Sequence, residues 1–224
     1  MSAKLKLIAN ALAPAKRPAR IPSPRQQEIT ANLSLIARTW PILSDSQRQS
    51  FTDFGQTWSP VPGKATARGF VVFQALNGVR LSAALAGILR DAPLRPDFLG
   101  KLPPFTGAAT VAAPPALALR GTAPDSSPGF ALTLTIGAVG SPVRVLATRP
   151  LSPGVGKPKP GDFRQIGVYS SLDPVHPNDL SAAYLAHFAA PTPGLKIGLQ
   201  LIPVTVGGFQ GSPFTQTITV TPAP

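Results

Sequence analysis

The chain has two histidines, His176 and His187, which are its main candidates for binding a metal ion or transferring a proton. His176 lies between Asp173 and Asp179 in the stretch SSLDPVHPND, and a histidine with two carboxylates can bind a metal ion. Prolines on both sides of it favour an exposed turn instead. His187, in AAYLAHF, is predicted to be a partly exposed strand residue rather than a ligand. We therefore predict neither a metal site nor a cofactor.

The common catalytic motifs are missing from the sequence. There is no G-x-S-x-G, no G-x-x-x-x-G-K-[ST] and no G-x-G-x-x-G. Eight aspartates and a single glutamate, Glu28, are scattered along the chain, and most of the aspartates stand beside Pro, Ser or Gly. Such a set does not suggest the paired carboxylates of a glycosidase or a catalytic triad. We predict that the protein is not an enzyme.

Basic residues dominate the charge. The chain has 21 Lys and Arg against 9 Asp and Glu, a formal net charge of +12, and its pI is about 11.2. Such a balance predicts an acidic partner, which could be a nucleic acid, an anionic surface or an acidic protein. The alternative is that the charge serves solubility or reflects a basic proteome.

Two segments concentrate this charge. One is the N-terminal arm, residues 1–22, which has five cations and no acid. The other is RPLSPGVGKPKPGDFR, Arg149–Arg164, in which four prolines stiffen a loop opposed only by Asp162. A solvated loop is the alternative for this stretch. The predicted partner-binding residues are Lys4, Lys6, Lys16, Arg17, Arg20, Arg25, Arg149, Lys157, Lys159 and Arg164.

A helical module is predicted over residues 23–89. Ser23 precedes a proline and is followed three residues later by Gln26, a capping-box signal, so a helix is expected over Pro24–Thr39. Its apolar face comprises Ile29, Leu33, Ile36 and Trp40. A second helix, about Asp45–Phe54, repeats the cap signal. Trp40, Phe51, Phe54 and Trp58 are expected to pair the two helices in a small core.

The stretch GFVVFQALNGVRLSAAL, Gly69–Leu85, has two interpretations. Asn77-Gly78 between apolar runs is a strong hairpin signal. Phe70, Phe73 and Leu76 at helical spacing indicate a helix instead. We favour the helix because the two preceding segments are helical. A proline-rich linker is expected over residues 90–109.

From about residue 110 the apolar pattern alternates with period two. Seven short candidate strands with turn signals between them predict an immunoglobulin- or fibronectin-like sandwich over residues 110–224, and thus an α+β chain. Ser181–Phe188 could also be helical. The candidate strands are Pro115–Arg120, Phe130–Ala138, Val143–Thr148, Phe163–Tyr169, Ser181–Phe188, Leu195–Val206 and Thr215–Thr221.

Cysteine is absent, so disulfides and thiolate metal sites are excluded. No apolar run approaches the roughly 20 residues of a spanning helix. The start MSAKLKLIANALAPA faintly imitates a secretory signal, although Asn10 interrupts its short apolar run.

Residues from Pro22 to Leu81 resemble a group of uncharacterised bacterial and phage-associated proteins. The resemblance is carried by PSPRQQEITANLSLIARTW, by LSDSQRQSFTDFGQTW with its pattern LSxxQRxxFxxxGxxW, and by ARGFVVFQALNGVRL, followed by a fibronectin-like half. It implies a structural or envelope-associated role and transfers no functional residue. It also supports the helix over Phe70–Asn77.

Together these features predict a non-enzymatic structural protein of a large assembly, most plausibly a phage or virus-like particle, and oligomeric within it. The chain would be particle-associated, or otherwise cytoplasmic. A non-specific nucleic-acid-binding protein is one alternative, using its basic residues on phosphates. A surface adhesion module is another, and it requires the N-terminus to act as a signal.

Overall fold

The structure, a computed structural model, describes residues 22–94, 105–111, 129–170 and 172–223. It is mixed α+β: a helical N-terminal part is followed by a curled, seven-stranded sheet. The helices are α1 (Pro24–Thr39), α2 (Asp45–Thr57), α3 (Gly69–Ser82) and α4 (Ser181–Leu185), with 3-10 turns at Trp40–Ile42 and Pro160–Asp162. The strands are β1 (Phe105–Val111), β2 (Phe130–Ile136), β3 (Val143–Thr148), β4 (Phe163–Tyr169), β5 (Asn178–Asp179), β6 (Lys196–Pro203) and β7 (Phe214–Pro222).

Both predicted capping boxes are present. The Ser23 hydroxyl accepts the backbone N–H of Gln26, and the Gln26 side chain accepts the N–H of Ser23 at 2.8 Å. Ser44 and Gln47 repeat this arrangement at the start of α2. The two boxes satisfy N–H groups that a helix leaves free at its first turn, and they fix where α1 and α2 begin.

The helix prediction for the ambiguous stretch is confirmed, since α3 spans Gly69–Ser82. Asn77, the candidate turn residue, is fully buried within the helix. Its side-chain amide donates to the carbonyl of Leu89 at 3.2 Å, and its side-chain oxygen accepts the N–H of Leu89 at 2.6 Å. The asparagine therefore holds the segment after α3 rather than turning a hairpin.

The helical core is aromatic, as expected. Phe51 and Phe73 meet edge to face at 5.1 Å, and Trp40 packs beside both rings. The predicted apolar face of α1 is only partly correct, because Ile36 is buried whereas Ile29 and Leu33 are nearly half exposed. Within the described residues, the buried side chains of α1 therefore lie in its C-terminal half.

The strands form one sheet in the order β4-β3-β6-β7-β1-β2-β5. Its continuity depends on the pairing of β1 with β7, which run parallel and align Ala109 with Val220. All other pairs are antiparallel. A single sheet curls into a half-barrel around the apolar core, so the sandwich prediction is not confirmed.

Two local predictions differ from the structure, and one short strand was not predicted. Residues 181–185 form α4, so the helical alternative is correct for them and the strand is wrong. The N–H of Tyr184, whose ring is buried in the sheet core, bonds the Leu180 carbonyl at 2.9 Å. Strand β1 begins within the stretch assigned to the linker. The two-residue β5 carried no sequence signal. The candidate strand Pro115–Arg120 lies outside the described residues.

The loop after β6 joins the helices to the sheet. Its Phe209 is buried with the helical aromatic residues, 5.3 Å from Trp58 and 6.0 Å from Phe54 between ring centres. The buried guanidinium of Arg80 donates to the carbonyls of Val206 and Ala86. The helical part thus shares its core with a sheet loop. Among the residues that the structure describes, none of the helices is long and apolar enough to cross a bilayer.

Candidate anion-binding site

Three of the predicted partner-binding arginines line one cavity of about 730 Å³. We call it the arginine cavity and define it by Arg25, Arg149 and Arg164. The N-terminus of α1, the segment between β3 and β4 and the residues after α4 form its walls, the last of these through His187 and Phe188. The pairing of β3 with β4 brings Arg149 and Arg164 together. Arg25 is distant from both in sequence and reaches the cavity from the first turn of α1, where its side chain contacts β4.

Arg25 comes from the first turn of α1. Its guanidinium donates to the main-chain carbonyl of Gln165, on the edge strand β4, at 3.3 Å. The first turn of this 16-residue helix contains no acidic residue, so the partial positive charge of the helix terminus adds to that of the side chain. Ser23 and Pro24, at the same terminus, also line the cavity.

Arg149 and Arg164 come from neighbouring antiparallel strands. The register places Thr148 opposite Phe163 and Ala147 opposite Arg164, so Arg149, just after β3, lies close to the start of β4. Both arginines are exposed. In the part of the chain that the structure describes, neither side chain makes an ion pair or a hydrogen bond. Two unpaired guanidinium groups therefore face the cavity.

The cavity also contains one acid, Asp162, whose negative charge offsets at most one of the three guanidinium charges. Its carboxylate accepts the backbone N–H of Lys159 at 2.9 Å and thereby closes the 3-10 turn before β4. No ion pair links Asp162 to an arginine among the described residues. The carboxylate shapes the loop, and the cavity keeps a surplus of positive charge.

A fourth arginine, Arg144, does not line the cavity but interacts with Gln165 and Arg25. The Arg144 guanidinium donates to the side-chain oxygen of Gln165 at 3.0 Å, and the Gln165 amide donates to the Ser82 carbonyl at 3.0 Å. Burial, and secondarily repulsion from Arg25, lowers the pKa of Arg144 from its ordinary value. Gln165 therefore connects α1, α3 and β3 through hydrogen bonds, and it bonds two arginines, Arg25 and Arg144.

The remaining predicted residues do not join this site. Lys157 lines a different cavity of about 610 Å³, together with Phe163 and residues of β6 and β7. Lys159 contributes its backbone to the turn, as described above. The N-terminal residues Lys4, Lys6, Lys16, Arg17 and Arg20 lie outside the described residues. Cations of the predicted basic loop thus line two different cavities.

The histidine-aspartate stretch forms a hydrogen-bonded turn. Asp173 accepts the backbone N–H groups of Val175 and His176 and bonds the His176 ring at 2.9 Å, and these bonds lower the pKa of the carboxyl group. Asp179 instead accepts bonds from Ser181. No group of three metal-binding side chains occurs among residues 22–94, 105–111, 129–170 and 172–223.

Sequence reasoning missed the aromatic wall of the cavity. His187 had been assigned to a strand, whereas it follows α4 and is exposed at the cavity beside the half-buried Phe188. The two rings lie 6.4 Å apart between centres. Their adjacency was visible in the sequence, but nothing there indicated that they face arginines from two other segments.

Comparisons of the chain with protein-family models, with curated proteins and with solved structures find no match.

Proposed function

We propose that this protein is a non-enzymatic structural component of a larger assembly and that it holds an acidic group of its partner in the arginine cavity. One observation carries the proposal: three arginines from separate segments converge on one cavity, and two of them lack an internal counter-charge within the described chain. Surplus guanidinium groups at a formed cavity favour a partner that supplies carboxylates or phosphates. A phage or virus-like particle is the assembly that the sequence suggests.

A second surface supports the assembly role. Ile29 and Leu33 stand one turn apart on α1, and both are nearly half exposed. Strand β4, which bears Arg164, is an edge of the sheet, and of its main-chain groups the Gln165 carbonyl is bonded by Arg25. A sheet edge of this kind can pair with another chain. A chain with an exposed apolar helical face and a sheet edge beside a cationic cavity has the means to contact more than one neighbour.

Density-gradient fractionation of the native source, with the chain located by mass spectrometry, tests the proposal. The double variant Arg149→Ala/Arg164→Ala is compared with Arg38→Ala/Lys64→Ala, which removes the same charge from exposed positions outside the cavity. We expect the wild-type chain and the control in fast-sedimenting particles and the cavity variant at the top of the gradient.

Either of two results would overturn the proposal. Wild-type chain found only as a small species would show that it belongs to no assembly. Equal sedimentation of the two double variants would show that net charge, rather than the cavity, governs association.

A further inference from the structure

The positive charge of the arginine cavity exceeds what one carboxylate would balance. Arg25, Arg149 and Arg164 line it beside a helix N-terminus, and the Asp162 carboxylate offsets one of their three charges, so a surplus of about two remains. A phosphate monoester carries a charge of about −1.5 to −2 near neutral pH and three acceptor oxygens. Forked guanidinium donors match those oxygens in geometry as well as in charge. The arrangement therefore favours a phosphate monoester over a carboxylate.

The cavity is also larger than a phosphate needs. Its volume of about 730 Å³ falls in the range of sites that enclose a whole small molecule. The space beyond the guanidinium groups is bounded by the exposed imidazole of His187 and the half-buried ring of Phe188. Phe188 is anchored from behind by Tyr184, 5.0 Å away between ring centres, so this wall is backed by the sheet core.

Aromatic rings beside a phosphate site are suited to a planar ligand. Every nucleobase has a flat π-face that can stack on a histidine or phenylalanine ring. In a nucleotide, one sugar separates the base from the phosphate. A phosphorylated peptide would satisfy the arginines but would give the rings no planar partner. The charge, the volume and the aromatic wall of the cavity therefore favour a nucleotide over a phosphorylated peptide.

We propose that the arginine cavity binds the terminal phosphate monoester of a nucleotide and places the adjoining base against His187 and Phe188. This inference rests on the proposed function and names the chemistry of the acidic partner. The nucleotide is either free or the end of a single strand. A duplex end is a poorer fit, because its terminal base is already paired and stacked.

Fluorescence anisotropy with the full chain tests the proposal. The probe is a short 5′-phosphorylated oligothymidylate, and the comparison ligand is the same oligomer without its 5′-phosphate. We expect loss of that phosphate and the substitution Arg164→Ala each to weaken binding at least tenfold, since each removes charge-assisted hydrogen bonds. Arg38→Ala is the charge-matched control and should change the affinity less than threefold.

A second variant separates the base from the phosphate. His187→Ala should weaken the phosphorylated oligomer about fivefold or more and leave competition by inorganic phosphate unchanged, because the imidazole contacts only the base. Thymidine 5′-monophosphate distinguishes the two sources of the ligand. Competition equal to that of the oligomer identifies a free nucleotide, and competition at least tenfold weaker identifies a strand end.

Three results would overturn the inference. Equal affinity with and without the 5′-phosphate would reduce binding to general attraction of a polyanion to a basic chain. Tighter binding of a poly-glutamate peptide than of the phosphorylated oligomer would identify an acidic protein partner and leave the assembly proposal standing. Failure of every probe to bind would contradict a nucleotide site, whereas the proposed function would still be decided by the gradient experiment.

Discussion

The ring of Phe209, from a loop of the sheet, lies 5.3 Å from that of Trp58 at the end of α2, and the two planes are nearly perpendicular. Edge-to-face pairs of this kind add to the energy of apolar burial. The helical core therefore contains a residue that the sheet supplies, and the two parts of the chain are expected to unfold together.

Replacing Phe209 by Ala should lower the free energy of unfolding by about 3–5 kcal/mol, since it empties a buried aromatic position. Denaturant unfolding followed by tryptophan fluorescence measures the effect. Val206→Ala, in the same loop but with an exposed side chain, should change stability by less than about 0.5 kcal/mol. A similarly small change for Phe209→Ala would show that the loop does not belong to the core.

Gly208 should not tolerate a side chain. Its φ of 84° lies in the left-handed region, and an added Cβ would fall against the Leu76 carbonyl of α3. We expect Gly208→Ala to destabilise the fold by about 2 kcal/mol or more, because strain and collision add. Gly78→Ala is a control of opposite sign: nothing lies near the new methyl group, and alanine favours a helix by about 0.5–1 kcal/mol. Thermal unfolding of the two variants measures both effects. Equal changes in melting temperature would contradict the predicted strain at Gly208.

The Tyr184 hydroxyl is buried and finds no hydrogen-bond partner among the described residues. Burial raises the pKa of this tyrosine, so it stays neutral in the fold. We predict that Tyr184→Phe leaves stability unchanged or raises it by about 1 kcal/mol, because it removes an unsatisfied polar atom and keeps the ring. Tyr184→Leu should be clearly destabilising, since it shrinks a fully buried ring. A loss of more than about 1 kcal/mol in the Phe variant would reveal a partner for the hydroxyl.

The carboxyl group of Asp179 should titrate below its ordinary pKa of 3.8, because the hydroxyl and N–H of Ser181 bond its charged form. A depressed folded pKa gives stabilisation that is complete above 3.8 and is lost as the pH falls through the folded value. Carbon-detected NMR titration measures the titration midpoints of the Asp179 and Asp173 carboxyl groups. Ser181→Ala should raise the midpoint of Asp179. Asp173 is the internal control, since its own lowered pKa rests on bonds to Val175 and His176. An unchanged Asp179 midpoint would rule out the hydroxyl as the cause.

Local signals predicted local structure well. The serine caps at Ser23 and Ser44 mark the observed helix starts, and β3 and β4 have the predicted bounds. These features depend on residues within a few positions of one another. Strand β1 was not predicted because two prolines directly before Phe105, and Gly107 within the strand, are typical of a linker.

Long-range features were beyond the sequence pattern. Alternation shows which face of a strand is buried but not which strands pair. The parallel pairing of β1 with β7, which joins the two expected sheets into one, could therefore not be predicted. Likewise, Arg25, Arg149 and Arg164 were predicted as cationic contacts, but their convergence depends on the pairing of β3 with β4 and on the contact of Arg25 with β4. The exposure of Ile29 and Leu33 has the same origin, since the helical period indicates a face and not its partner.

The dependence of the helical core on Phe209 has a consequence for biosynthesis. Helices α1, α2 and α3 leave the ribosome long before this residue is made, and so does β1, which pairs with the late strand β7. The nascent helices therefore emerge with an open aromatic core and the first strand with an unpaired edge. Such surfaces attract chaperones or other nascent chains, so the yield of native protein should depend on how quickly synthesis delivers the last third of the polypeptide.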